Sequence, residues 1–128
     1  MTAMAVRAVL ASIAVGALVA CSGPLELTNI QIGRSLNQDG SIASITTLFK
    51  PSETVYVSVQ TGSGKGVIGV RWKFGNQIID EPTKQVSGAG PKSTEFHLQN
   101  SGGFPPGDYS VDVMIDGVQV GSRNFKVQ

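Results

Sequence analysis

Tyr109-Ser110-Val111-Asp112-Val113-Met114-Ile115-Asp116-Gly117-Val118 is the stretch on which the fold turns. Tyr109, Val111, Val113 and Ile115 alternate with Ser110, Asp112, Met114 and Asp116, a period of two that gives a strand one apolar and one polar face. Asp116-Gly117 then supplies a two-residue turn, because both turn positions require positive φ and this pair tolerates it. The stretch is therefore the first arm of an antiparallel hairpin whose second arm ends at Asn124-Phe125-Lys126-Val127. Val118 and Val120 are out of phase with Phe125 and Val127, so a bulge is expected around Gly121-Ser122.

The same period recurs upstream. Val55, Val57 and Val59 alternate with Tyr56, Ser58 and Gln60; Ile68, Val70, Trp72 and Phe74 with Gly69, Arg71 and Lys73; Phe96 and Leu98 with Glu95, His97 and Gln99. Each run has one wet and one dry face, the pattern of antiparallel sheets. Residues 62–66, Gly-Ser-Gly-Lys-Gly, form a loop between the valine run and the tryptophan run, and residues 101–107, with Pro105 and Pro106, lack the N–H donors of a central strand. Before residue 54 the pattern is weaker. Leu25 and Leu27 have one parity and Ile30 and Ile32 the other, implying a bulge; residues 37–40 form a polar turn; and Ile42, Ile45, Leu48 and Phe49 fit helix or strand spacing, with β-branched neighbours favouring strand. No segment after Cys21 has a convincing helical period. About seven short strands with turn signals between them argue for a β-sandwich spanning residues 25–128.

Trp72 on a middle strand and Gly107-Asp108-Tyr109-Ser110-Val111-Asp112-Val113 near the end resemble bacterial immunoglobulin-like or fibronectin-like modules, in which Gly-x-Tyr-x-Val opens the penultimate strand. The resemblance covers residues 54–127. It implies that Trp72 fills the sandwich centre and that the Tyr109 hydroxyl closes a corner on the backbone. It implies no activity, since this architecture carries many.

The N-terminal end has a different composition. Up to Cys21 only Arg7 is charged, and residues 8–19 are almost wholly apolar. As a helix these twelve residues would rise ~18 Å, short of the ~30 Å hydrocarbon core of a bilayer, which fits the apolar region of a cleaved signal helix. Leu18-Val19-Ala20-Cys21 resembles the lipobox of bacterial lipoprotein signal peptides. The resemblance implies cleavage of residues 1–20, acylation of Cys21, and a lipid-anchored N-terminus with a short tether over residues 21–24. Two or more acyl chains anchor stably where one does not. In a Gram-negative cell, Ser22 implies sorting to the outer membrane.

Composition excludes much else. The 128 residues carry ten Lys/Arg and nine Asp/Glu, and removing residues 1–20 takes away Arg7 and leaves the mature side chains neutral. Without basic runs there is no electrostatic footprint for nucleic acid. One cysteine makes no internal disulfide, and one histidine is too few for a zinc site. His97 is expected to face outward with Glu95 and Gln99 rather than serve a catalytic triad. Asn37, Asp39 and Gly40 lack the remaining spacing of a calcium loop. Residues 62–66 hold Lys65 but not the spacing of a phosphate-binding loop, and Asp80-Glu81 before Pro82 fits a solvated turn better than a hydrolytic pair.

The chain is accordingly expected to be a non-enzymatic envelope lipoprotein, without cofactor or metal, that binds a protein partner or assists an assembly. Its expected contact residues are Arg71 and Lys73 on the polar face of their strand, with Lys65 and Phe104 in loops. Two alternatives are open: a periplasmic inhibitor of a protease or lysozyme that inserts loops 62–66 and 101–107 into a cleft, and a carbohydrate- or ligand-binding module using Tyr56 and Phe104 as planar platforms.

Overall fold

The computed structural model describes residues 23–128. The expected signal helix, the lipobox, Cys21 and Ser22 lie outside these residues. The described residues form nine strands and no helix: β1 (Leu27–Gly33), β2 (Leu48–Phe49), β3 (Val55–Thr61), β4 (Gly64–Phe74), β5 (Gln77–Asp80), β6 (Thr83–Gly88), β7 (Lys92–Leu98), β8 (Gly107–Ile115) and β9 (Val118–Val127). A small antiparallel sheet has the order β1-β3-β7, and a large one the order β2-β9-β8-β4-β5, with β6 also paired to β4. The expected all-β sandwich is therefore the architecture.

The apolar parity of each run decides which face turns inward. Val55, Val57 and Val59 of β3 oppose Ile68, Val70 and Trp72 of β4 and Val111 and Val113 of β8 in one continuous core, all with no exposed surface. Each such side chain contributes ~1.5–3 kcal/mol by leaving water. The Asp116-Gly117 turn has positive φ at both residues, 52° and 82°. The bulge expected in β9 falls one residue earlier than the sequence indicates, at Val120, which is skipped between Gln119↔Met114 and Gly121↔Val113. The parity change in β1 is likewise a bulge, between Leu27 and Asn29.

Two elements exceed the expected seven. β4 has two successive partners along one edge: β6 pairs with its first half, Gly64↔Gly88 to Gly69↔Thr83, and β5 with its end, Trp72↔Asp80 to Phe74↔Gln77. Between them Pro82 contributes only its carbonyl, which accepts the Val70 N–H at 3.1 Å.

The polar turn at residues 37–40 belongs to a larger excursion. Gly33↔Ile45 and Leu36↔Ile42 bridges fold residues 34–45 back on themselves, and Gly40 at the tip approaches the Ser93 carbonyl on β7. The excursion thus crosses the outer face of the small sheet from β1 to β7. It buries Ile42 outside the main core and covers Ser58, which the alternation had placed on a wet face but which is completely buried.

The register defines two poles. Thr61, Gly64, Gly88, Lys92 and the Asp116-Gly117 turn end the strands at the first pole; Val55, Phe74, Leu98, Gly107 and Val127 end them at the second. Six aromatic rings join near the second pole. Tyr109 stacks on Phe74 (4.6 Å) and on Phe125 (5.3 Å), Phe104 meets Tyr109 edge-on, and Phe125 meets Phe49 and Trp72 the same way. The Tyr109 hydroxyl donates to the Pro105 carbonyl at 2.6 Å, closing the corner that the resemblance implied.

Burial raises the Tyr109 pKa above its ordinary 10.0. The folded state therefore keeps the phenolic proton at a pH where the unfolded chain loses it. This contribution is fully present below the ordinary value and is lost as pH rises from there through the raised pKa. Between pH 9 and 11 the urea midpoint of the wild type should fall more steeply than that of Tyr109→Phe, which lacks the group. Parallel slopes would count against the assignment.

Candidate functional site

The polar face of β4 carries Lys65, Arg71 and Lys73, as the alternation requires, but their charges are not free in the same way. Arg71 Nε pairs with Glu81 Oε1 at 2.9 Å, and Lys73 Nζ with Asp112 Oδ2 at 3.1 Å. Asp112 lies across from Arg71 on β8 and is nearly buried, so Lys73 neutralises a carboxylate that has little water. Arg71 and Glu81 are both well exposed, and such a pair contributes under about 1 kcal/mol. Lys65 stands six residues from Arg71, about 20 Å along the strand, at the first pole. Phe104 lies at the second pole and is only 5% exposed.

The four expected contact residues therefore do not form one surface. Phe104 is corrected to a core position. Its N–H donates to the Pro51 carbonyl at 2.8 Å, and this turns the ring inward onto Tyr109 despite the polar, proline-rich sequence around it. The loop at residues 62–66 is shorter than expected, since β4 already begins at Gly64. It lies at the opposite pole from residues 101–107, so the two cannot enter one cleft together.

The residues weighed for chemistry are placed as follows. His97 is exposed on β7; its Nδ1 lies 3.2 Å from Glu95 Oε2 and its ring 5.7 Å from Tyr56. Ser58, across from Glu95, is buried beneath the 34–45 excursion and offers no accessible nucleophile. Asp39 accepts from the Ser41 hydroxyl at 2.6 Å and the Ser41 N–H at 2.9 Å, which holds its carboxyl below the usual value and occupies an oxygen that a cation would need. Among the described residues no group of three or more His, Cys, Asp or Glu is placed to hold a metal ion.

A further surface feature lies elsewhere. At the second pole the free edge of the large sheet and the end of β7 leave a crevice of about 350 Å³ whose lining is apolar at Phe74, Ile78, Ile79, Leu98, Phe104 and Pro105 and polar at Gln77, Gln99 and Asn100. β5 forms its outer wall and is exposed throughout, Ile78 at 51% and Ile79 at 43%. An edge strand presents unpaired N–H and C=O groups, and here they border an apolar floor. These residues are hidden in the sequence because Ile78-Ile79 breaks the alternation. The usable signal was Gly75-Asn76, a two-residue turn joining Phe74 to its partner Gln77. A more open depression of about 610 Å³ at the first pole is lined by Lys65, Gly66, Val67, Gln85, Val86, Ser87 and Asp116.

No protein-family profile and no curated protein sequence matches the chain. Solved structures resemble it in fold. It is similar to an immunoglobulin-like protein from Pseudomonas aeruginosa, with a TM-score of 0.58 and 13% identity over 84% of this chain and 98% of that one. The C-terminal domain of wzt is similar over 84% of this chain and 75% of its own, with a TM-score of 0.57 and 12% identity. A third likeness is to the Pseudomonas fluorescens alkylpurine DNA glycosylase AlkC, in a complex with DNA containing an abasic-site analogue. It has a TM-score of 0.57 and 11% identity over 83% of this chain, which spans only 31% of that protein. Identities this low speak for the fold alone, and that fold is immunoglobulin-like.

Proposed function

We propose that the chain is a lipid-anchored, non-enzymatic binding module of the cell envelope, held by acyl groups on Cys21, which receives an extended segment of a protein partner along β5. The carrying observation is the crevice: an edge strand exposed along its length, with two isoleucines beside an apolar lining. An added strand would satisfy the free backbone groups of β5 and cover Ile78 and Ile79, which is strand addition to a sheet edge. The lipobox-like Leu18-Val19-Ala20-Cys21 supports the anchor, and Ser22 supports an outer-membrane destination in a Gram-negative cell.

Neither alternative has comparable support. An inhibitor would need its two loops at one end of the molecule, and a carbohydrate platform would need flat exposed rings, whereas Phe104 is buried and Tyr56 packs beside His97.

A photo-cross-linking residue at Ile79 in intact cells should give a discrete protein adduct that Ile78→Asp abolishes, while the same residue at Thr28 gives none. Absence of an adduct at Ile79, or one indifferent to Ile78→Asp, would refute the site. The anchor is checked separately: Cys21→Ser should leave an unprocessed precursor without labelled palmitate, and labelling that persists would refute acylation there.

A further inference from the structure

We infer that the first pole of the sandwich lies against the bilayer, so that the domain meets lipid through Val67, Val118 and Val120 as well as through its acyl chains. This rests on the acylation of Cys21 proposed above.

Chain length and attachment decide the orientation. The Gly23 carbonyl accepts the Lys65 N–H at 3.1 Å, and Pro24 bridges to Lys65 in parallel. Contact is so close that a Cβ on Gly64 would stand 2.6 Å from the Gly23 oxygen and 2.7 Å from that of Pro24. Leu25 is then buried in the core. The backbone is thus fixed to the start of β4 from Gly23 onward. Two residue steps separate Cys21 from Gly23, a reach of about 7 Å, whereas β4 runs roughly 33 Å from Gly64 to Phe74. A tether that short cannot bring the second pole to the lipid.

The first pole also has the chemistry of an interfacial surface. Val118 is 65% exposed, Val120 40% and Val67 36%, although each belongs to a strand. Val118 follows the Asp116-Gly117 turn directly, and Val67 is tied to that turn twice: its carbonyl accepts the Asp116 N–H at 2.8 Å and its N–H donates to Asp116 Oδ1 at 2.9 Å. Lys65 and Lys92 at this end are offset by Glu26 and Asp116, so attraction to acidic headgroups is not the organising force. Insertion of apolar side chains by a tethered domain is, because the anchor makes the encounter intramolecular and weak contacts suffice. The β5 crevice is then carried at the end away from the membrane, where a soluble segment reaches it.

The test uses the acylated full-length protein, purified from membranes and reconstituted in vesicles of phosphatidylethanolamine and phosphatidylglycerol. With Cys21 acylated, a single introduced cysteine takes an environment-sensitive fluorophore: Val118→Cys or Val120→Cys at the first pole, Asn76→Cys at the second. Both first-pole probes should show blue-shifted emission and lose intensity to nitroxide-bearing lipids, and the Asn76→Cys probe should do neither. Water-like emission at both poles in protein that floats with the vesicles would overturn the orientation while leaving the anchor intact. Protein that neither floats nor carries acyl mass would overturn both.

Discussion

Trp72→Ala should remove about 3–5 kcal/mol of folding stability, the range for deleting a buried large aromatic. Trp72 has no exposed surface and lies where β4 is flanked by β8 on one side and β5 on the other, with Phe125 edge-on at 6.1 Å. Both sheets close over it, so neither can collapse freely into the space that alanine would leave. Small domains have ~5–15 kcal/mol of stability in total, and the lower part of that range would not survive the change at 37 °C. Trp72→Phe gives the more discriminating result. The indole Nε1 is buried with no hydrogen-bond partner among the described residues, a state that itself costs ~1–3 kcal/mol. Phenylalanine removes that donor while keeping most of the ring, so its loss should be much less than half that of alanine. Urea midpoints at pH 7 measure both. A loss under about 1.5 kcal/mol for Trp72→Ala would mean that the residue is not central to the core.

Gly33→Ala is expected to cost near the top of the ~1–3 kcal/mol range for overpacking, an unusual amount for one methyl group. Its Cβ would stand 2.0 Å from the Ser44 carbonyl oxygen and 2.5 Å from Ile42 Cγ2. The Ser44 oxygen cannot move aside alone, because it accepts the Arg34 N–H at 3.0 Å while the nearby Thr46 N–H donates to Ile32. The excursion must lift off β1, exposing Ile42 and uncovering Ser58. Gly121→Ala is the matched control. Its nearest contact would be as forbidding on paper, 2.6 Å, but the atom is Ile30 Cδ1, a side-chain tip that can rotate away. Gly33→Ala should therefore combine a lowered urea midpoint with faster proteolysis between residues 35 and 44, and Gly121→Ala should show neither to the same degree. Unchanged resistance to protease in Gly33→Ala would refute the docking of the excursion.

Strands that face the core on one side were legible because burial imposes the alternation. Val55 to Val59, Ile68 to Phe74 and Tyr109 to Ile115 needed no tertiary information beyond their parity. β6 was not legible, since its pairing with the outlying half of β4 leaves only Val86 packed against the core and no apolar series to read. Ser58 departs from its expected wet face for a related reason: alternation tells two faces apart but does not show that a distant segment covers the polar one. Phe104 reads as a surface ring because its neighbours are prolines and glycines, and only the long-range bond to Pro51 turns it inward. For the candidate site, the pattern located the cations of β4 but not their partners, and a break in alternation hid Ile78 and Ile79, the two residues that wall the crevice.

The position of β9 has a further consequence. It is the last of the described strands, yet it sits inside the large sheet, antiparallel to β8 and parallel to β2, with Lys126 and Val127 beside Leu48 and Phe49. Eight strands precede it in the sequence. Without it β8 has an open edge, Phe49 lacks Phe125, and the sheet cannot close. Closure of the large sheet is thus the work of its ten-residue strand β9, which joins residues 48–49 to β8 across about sixty intervening residues of chain.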